Sequence, residues 1–123
     1  MFKAIRAIGI YVTDMERAKD FYVNKLGFTL GTEISPDECI LYIESSSIAI
    51  FLSRTDKPSV TDEKGPRITV FFHADEYARK VYSLLKARGV KLLQDAPQKL
   101  GENMLWFQLS DPDGNIIEVM AEP

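Results

Sequence analysis

The chain has 123 residues, 46% hydrophobic and 27% charged, with a formal net charge of −3. That length suits one domain whose core needs no disulfides or metal staples, and the balance of apolar and charged residues excludes a disordered chain. The basic residues are scattered, which excludes nucleic acid as the main partner, and the longest apolar runs, such as Ile48 to Leu52, are too short to cross a bilayer.

Met1-Phe2-Lys3-Ala4-Ile5-Arg6 lacks the apolar stretch of a signal peptide, so a cytoplasmic address is expected. From Ala4 to Val12, Ile8, Ile10 and Val12 alternate with Ala7, Gly9 and Tyr11, which predicts a strand with one aliphatic face. Thr13-Asp14 can cap a helix from Met15 to Lys25, with Met15, Ala18, Phe21 and Tyr22 on one side, and Gly27 ends it. Phe28 to Glu33, Cys39 to Glu44 and Ser47 to Ser53 read as strands, separated by turns at Ser35-Pro36-Asp37 and Ser45-Ser46. The one cysteine, Cys39, cannot form an internal disulfide and, beside Ile40 and Leu41, is expected to be a buried inert thiol.

Residues 54 to 66 carry no periodic pattern and are bounded by Pro58, Gly65 and Pro66, as a linker would be. The pattern then restarts: Arg67 to His73 is strand-like, Asp75 to Arg88 helical before Gly89, and Val90 to Leu93, Asn103 to Ser110 and Ile116 to Met120 are strands. Ala18-Lys19-Asp20-Phe21-Tyr22 lies over Ala78-Arg79-Lys80-Val81-Tyr82, and Leu26-Gly27-Phe28 over Arg88-Gly89-Val90 after a two-residue insertion. The expected organisation is therefore one domain of two duplicated β-α-β-β-β modules, about 1–53 and about 67–123, joined by the linker.

Asp111-Pro112-Asp113-Gly114 predicts a tight turn, so Ile116 to Met120 enters as a strand with Ile117 and Val119 on one face and Ile116, Glu118 and Met120 on the other. A carboxylate among apolar neighbours is costly to bury unless it is hydrogen-bonded, paired or bound to a cation, and that makes Glu118 the candidate functional residue. The bland alternative is a solvent-facing Glu near the end of the sequence.

The doubled module closing on Asp-Pro-Asp-Gly-Asn-x-x-Glu, together with Ile8-Gly9-Ile10-Tyr11-Val12-Thr13-Asp14-Met15-Glu16-Arg17-Ala18, Phe21-Tyr22 and Leu26-Gly27-Phe28, resembles the vicinal oxygen chelate superfamily of glyoxalases, bleomycin-resistance-type binding proteins, extradiol dioxygenases and epimerases. The resemblance implies an α+β fold in which two tandem βαβββ modules pair into an incomplete barrel with the helices outside. Ile8, Ile10, Val12, Ile68, Val70, Phe72, Leu105, Phe107, Leu109, Ile117 and Val119 would then form the core. Tyr11, Phe51, Arg67, Thr69, Phe71, His73, Trp106, Gln108, Glu118 and Met120 would line a ligand cavity. A homodimer is implied as well.

Metal-dependent members hold a divalent ion with His, Glu or Gln from several strands, and the resemblance makes Glu118 the last ligand. The other ligand positions fall on Ala7, on or near Phe51, and on Thr69 or Arg67, a set that cannot hold a transition metal of the usual kind. No cofactor is therefore expected. The expected function is binding of a small, flat or cationic organic molecule between aromatic walls, with Glu118 as anchor and Arg67 as its alternative internal partner. The alternative is an enzyme: a glyoxalase-like lyase, isomerase or dioxygenase that uses Glu118 as catalytic base, or one divalent ion held by Glu118 and a displaced ligand such as His73.

Overall fold

The aliphatic alternation of Ile8, Ile10 and Val12 becomes strand β1 (Ala7–Val12) in the computed structural model, which describes residues 1–57 and 68–123. Asp14 then leaves the strand with extended backbone angles and accepts a hydrogen bond from the Arg17 N–H at 3.0 Å, satisfying one of the orphan donors of helix α1 (Met15–Lys19). The helix does not continue in α geometry to Lys25 as expected. Asp20–Lys25 is π-helical, and the Leu26 N–H reaches back five residues to the Phe21 carbonyl at 3.0 Å. Gly27 follows at φ 83°, a conformation that costs glycine nothing and lets the chain turn out of the helix.

Three antiparallel neighbours complete the first sheet: β2 (Thr29–Ser35), β3 (Glu38–Tyr42) and β4 (Ala49–Arg54). The spatial order is β1-β4-β3-β2, and β1 lies parallel to β4, as a strand pair joined through a helix crossover can. Val12, Leu41, Ile50 and Leu52 are buried with Met15, Ala18, Phe21 and Tyr22, so the helix and one sheet face share a core. Cys39 is buried there with its Sγ 3.7 Å from Met15 Sδ, and desolvation pushes its thiol pKa up, which suits the inert role expected of it.

The second unit repeats the plan. It contains β5 (Phe71–His73), α2 (Ala78–Ala87), β6 (Lys91–Leu92), β7 (Gln98–Leu100), β8 (Met104–Ser110) and β9 (Ile116–Ala121). The order is β5-β9-β8-β6, with β7 also paired to β8 and β5 parallel to β9. Leu105, Phe107, Leu109, Ile117 and Val119 are buried, and Tyr82 of α2 meets Phe107 edge to face at 5.3 Å. No side chain caps α2; the Ala78 N–H instead donates to the Glu122 carbonyl at 2.8 Å, just past the last strand. The turn before β9 is held by Asp111, whose carboxylate accepts from the Asp113 and Asn115 N–H groups at 3.0 and 2.8 Å.

The two units divide the chain as Met1–Ser59 and Val60–Pro123. The linker expected over 54–66 lies largely outside the described residues, and Arg54 belongs to β4, where it pairs with Asp37 and Asp56. Of the strand expected from Arg67 to His73, Arg67 lies outside the described residues and the ladder covers Phe71–His73; Ile68, expected in the core, precedes that ladder and is fully exposed. α2 starts at Ala78 rather than Asp75. Among the described residues no helix is long and apolar enough to cross a membrane.

Candidate functional site

Two cross-strand rows define one face of the second sheet. Phe71, Glu118 and Gln108 stand side by side across β5, β9 and β8, and His73, Met120 and Trp106 form the next row. Side chains alternate along a strand, so the intervening Leu105, Phe107, Ile117 and Val119 take the opposite face, toward α2. The Glu118 row therefore occupies the face turned away from the core. Glu118 is nonetheless only 7% exposed, which rejects the solvent-facing alternative.

A buried carboxylate needs partners, and three side chains among the described residues donate to it. Trp106 Nε1 and Gln108 Nε2 both reach Oε1, at 2.8 and 3.2 Å, and the Thr69 hydroxyl reaches Oε2 through a short hydrogen bond. The Glu118 N–H is also anchored, donating to the Val70 carbonyl at 3.0 Å. An indole N–H can only donate, so Oε1 is an acceptor in this arrangement.

The network runs further, to residues that sequence reasoning missed. Gln94 Nε2 donates to Gln108 Oε1 at 2.9 Å, Gln94 Oε1 accepts the Gln108 backbone N–H at 2.6 Å, and the Tyr82 hydroxyl donates to the Gln94 carbonyl at 2.7 Å. Gln94 lies where the edge of the sheet is interrupted: the register on β8 moves by three residues between the Leu92–Leu109 and Gln98–Trp106 pairs. The only signal in the sequence was Pro97, whose missing N–H marks a break in a strand.

Of the expected cavity residues, Thr69, Trp106 and Gln108 converge on Glu118, and Phe71 and Met120 flank it by register. Phe71 is 46% exposed. His73 is one row away, at a cleft of about 310 Å³ that it shares with Asp75, Glu76, Tyr77 and Glu122. Arg67, and with it the expected Arg67–Glu118 pair, lies outside the described residues. Tyr11 and Phe51 belong to the first unit, where Tyr11 is opposite Ser53, Phe51 is opposite Gly9 and Ile40, and Tyr11 is 66% exposed.

The donor set can be tested against the divalent ion that the resemblance implies. Both Glu118 oxygens already accept from neutral N–H or O–H donors, and among the described residues no group of three or more His, Cys, Asp or Glu is placed to hold a metal ion. An indole N–H, a hydroxyl and an amide NH₂ aimed at one carboxylate do not fit a transition ion, which wants several N, O or S lone pairs turned toward it.

The uncharacterized protein YetH of Bacillus subtilis (strain 168) is 25% identical over 118 residues, which cover 94% of this chain and 96% of that one. Among solved structures, TnmS3, an antibiotic binding protein from Streptomyces sp. CB03234, matches with a TM-score of 0.76 at 22% identity over 99% of this chain and 98% of its own. Lactoylglutathione lyase from Agrobacterium tumefaciens matches with a TM-score of 0.72 at 17% identity, over 96% and 92%. At those identities the two structures share the fold, and they differ from each other in function. Residues 4–119 match the Glyoxalase/Bleomycin resistance protein/Dioxygenase superfamily, and the chain belongs to it.

Proposed function

We propose that this protein binds a small organic molecule on the Glu118 face of its second sheet and does so without the metal centre of the superfamily. The observation that carries the reading is the buried carboxylate held by three uncharged donors. A carboxylate offers about four lone-pair sites, so the three bonds from the described residues leave about one site, on Oε2, for a further donor. That suits a ligand with a single N–H or O–H to give, or an ammonium head, better than a bidentate guanidinium. Phe71 and Trp106 supply aromatic surface beside the charge, where a flat or cationic body gains stacking and cation–π attraction.

A general base is a weaker reading of the same residue. Oε1 is committed to Trp106 and Gln108, so proton abstraction would fall to Oε2, which already accepts from the Thr69 hydroxyl. The antibiotic binding function of TnmS3 lends the binding role support by fold. We extend the proposal to a cytoplasmic location, tested by cell fractionation, and to a homodimer, tested by light scattering on the purified 13.9 kDa chain.

The test of binding is a thermal-shift screen of aromatic amines and heteroaromatic cations. A ligand at one hundred times its Kd stabilises the native state by about 2.7 kcal/mol, a shift of several degrees, and Glu118→Ala should abolish it. Elemental analysis of the same preparation carries the opposing outcome. A stoichiometric divalent ion that disappears in Glu118→Ala overturns the metal-free reading.

A further inference from the structure

We propose that Gln94 is a positioning residue that fixes which end of the Gln108 amide faces Glu118. A glutamine amide can be turned round in place, exchanging a donor for an acceptor, so its orientation is set by the groups at its two ends: Glu118, which accepts, and Gln94. At the Gln94 end the polarity is set by an atom that cannot turn. The Gln108 backbone N–H points into the break between β6 and β7 and meets Gln94 Oε1 at 2.6 Å. A backbone N–H only donates, so the Gln94 oxygen must face it. The Gln94 NH₂ is then left to face the Gln108 side chain, which must answer with its oxygen, at 2.9 Å. The Gln108 NH₂ is thereby turned to Glu118 Oε1, at 3.2 Å.

The reverse arrangement fails at both ends. Two NH₂ groups would confront each other at Gln94, and the Gln108 oxygen would confront a carboxylate oxygen. The seat of Gln94 is itself fixed, because the Leu93 N–H donates to the Gln108 carbonyl at 3.0 Å and the Tyr82 hydroxyl holds the Gln94 carbonyl. The consequence for the site is that Oε1 is kept occupied by two donors and Oε2 is the oxygen presented to an incoming group. That consequence rests on the proposed binding function; the orientation of Gln108 does not.

Amide orientation can be read by nuclear magnetic resonance on the ligand-free protein. Trp106 is the only tryptophan, so its indole N–H gives one signal, and because it shares Oε1 with Gln108 a cross-relaxation peak joins it to the Gln108 side-chain amide protons. Gln94→Glu keeps the shape and the acceptor for the Gln108 backbone but removes the donor. It should turn Gln108 round and abolish that peak while the folded spectrum persists. A peak retained in folded Gln94→Glu overturns the proposal. Gln94→Met adds no charge and serves if the first variant fails to fold: the peak should fall at least twofold, and an undiminished peak, even with a lowered melting temperature, assigns Gln94 a packing role only and overturns the proposal. Absence of any ligand in the thermal screen leaves this result untouched, so the two readings fail separately.

Discussion

The two sheets have the same strand order, and the third residue of the last strand holds the same place in each, yet the rows through that place differ. In the first sheet it is Gly9–Phe51–Ile40; in the second it is Phe71–Glu118–Gln108. One row is apolar, while the other encloses a carboxylate with its own donors. Topology therefore supplies two equivalent positions, and side-chain chemistry reserves one of them for polar recognition. A buried charge also obliges its surroundings to change: Gln108 has a reason to be polar that its first-sheet counterpart, Ile40, lacks.

The severest way to break this contrast is to make the rows alike. Glu118→Leu leaves the Trp106, Gln108 and Thr69 donors without their acceptor, and urea unfolding should register a loss of about 2–4 kcal/mol, since each half-buried donor costs on the order of 1 kcal/mol or more. A loss under about 0.5 kcal/mol would mean that water replaces the carboxylate at no cost and that the row has no structural content. Next is Gly31→Ala in the first sheet, where a Cβ would fall 2.1 Å from the Tyr42 ring and 2.9 Å from the Ile40 carbonyl. The ring and the strand must shift, with an expected cost of about 1–3 kcal/mol by the same measurement. The smallest effect separates the helices. Asp14→Ala removes the side-chain cap of α1 and should cost about 1 kcal/mol, whereas Tyr77→Ala leaves the Ala78–Glu122 bond that starts α2 in place.

Periodicity was enough to find both helices and eight of the strands, because each depends on residues one, two or four positions apart, whereas for Glu118 it left a buried and a solvent-facing reading open. It was not enough for features set by bonds between distant segments. The π-helical turn depends on a bond five residues back, and nothing in Asp20–Lys25 announces it. Ile68 has the right parity for the core but no strand pairing to enforce it. β7 and Gln94 went unseen because residues 93–97 have no period, and the use of Gln94 emerges only when Gln108 is set opposite it. Trp106 and Gln108 were legible as neighbours of Glu118; that they spend their protons on it was not.

In each unit the first strand lies beside the last, with everything else in the unit strung between them in the chain. A chain leaving the ribosome can therefore form α2 and the pairings of β8 with β6 and β7 early, but β5 has no neighbour until β9 has emerged. The carboxylate face therefore cannot be complete before the last strand is in place, and its closure joins residues far apart in the chain.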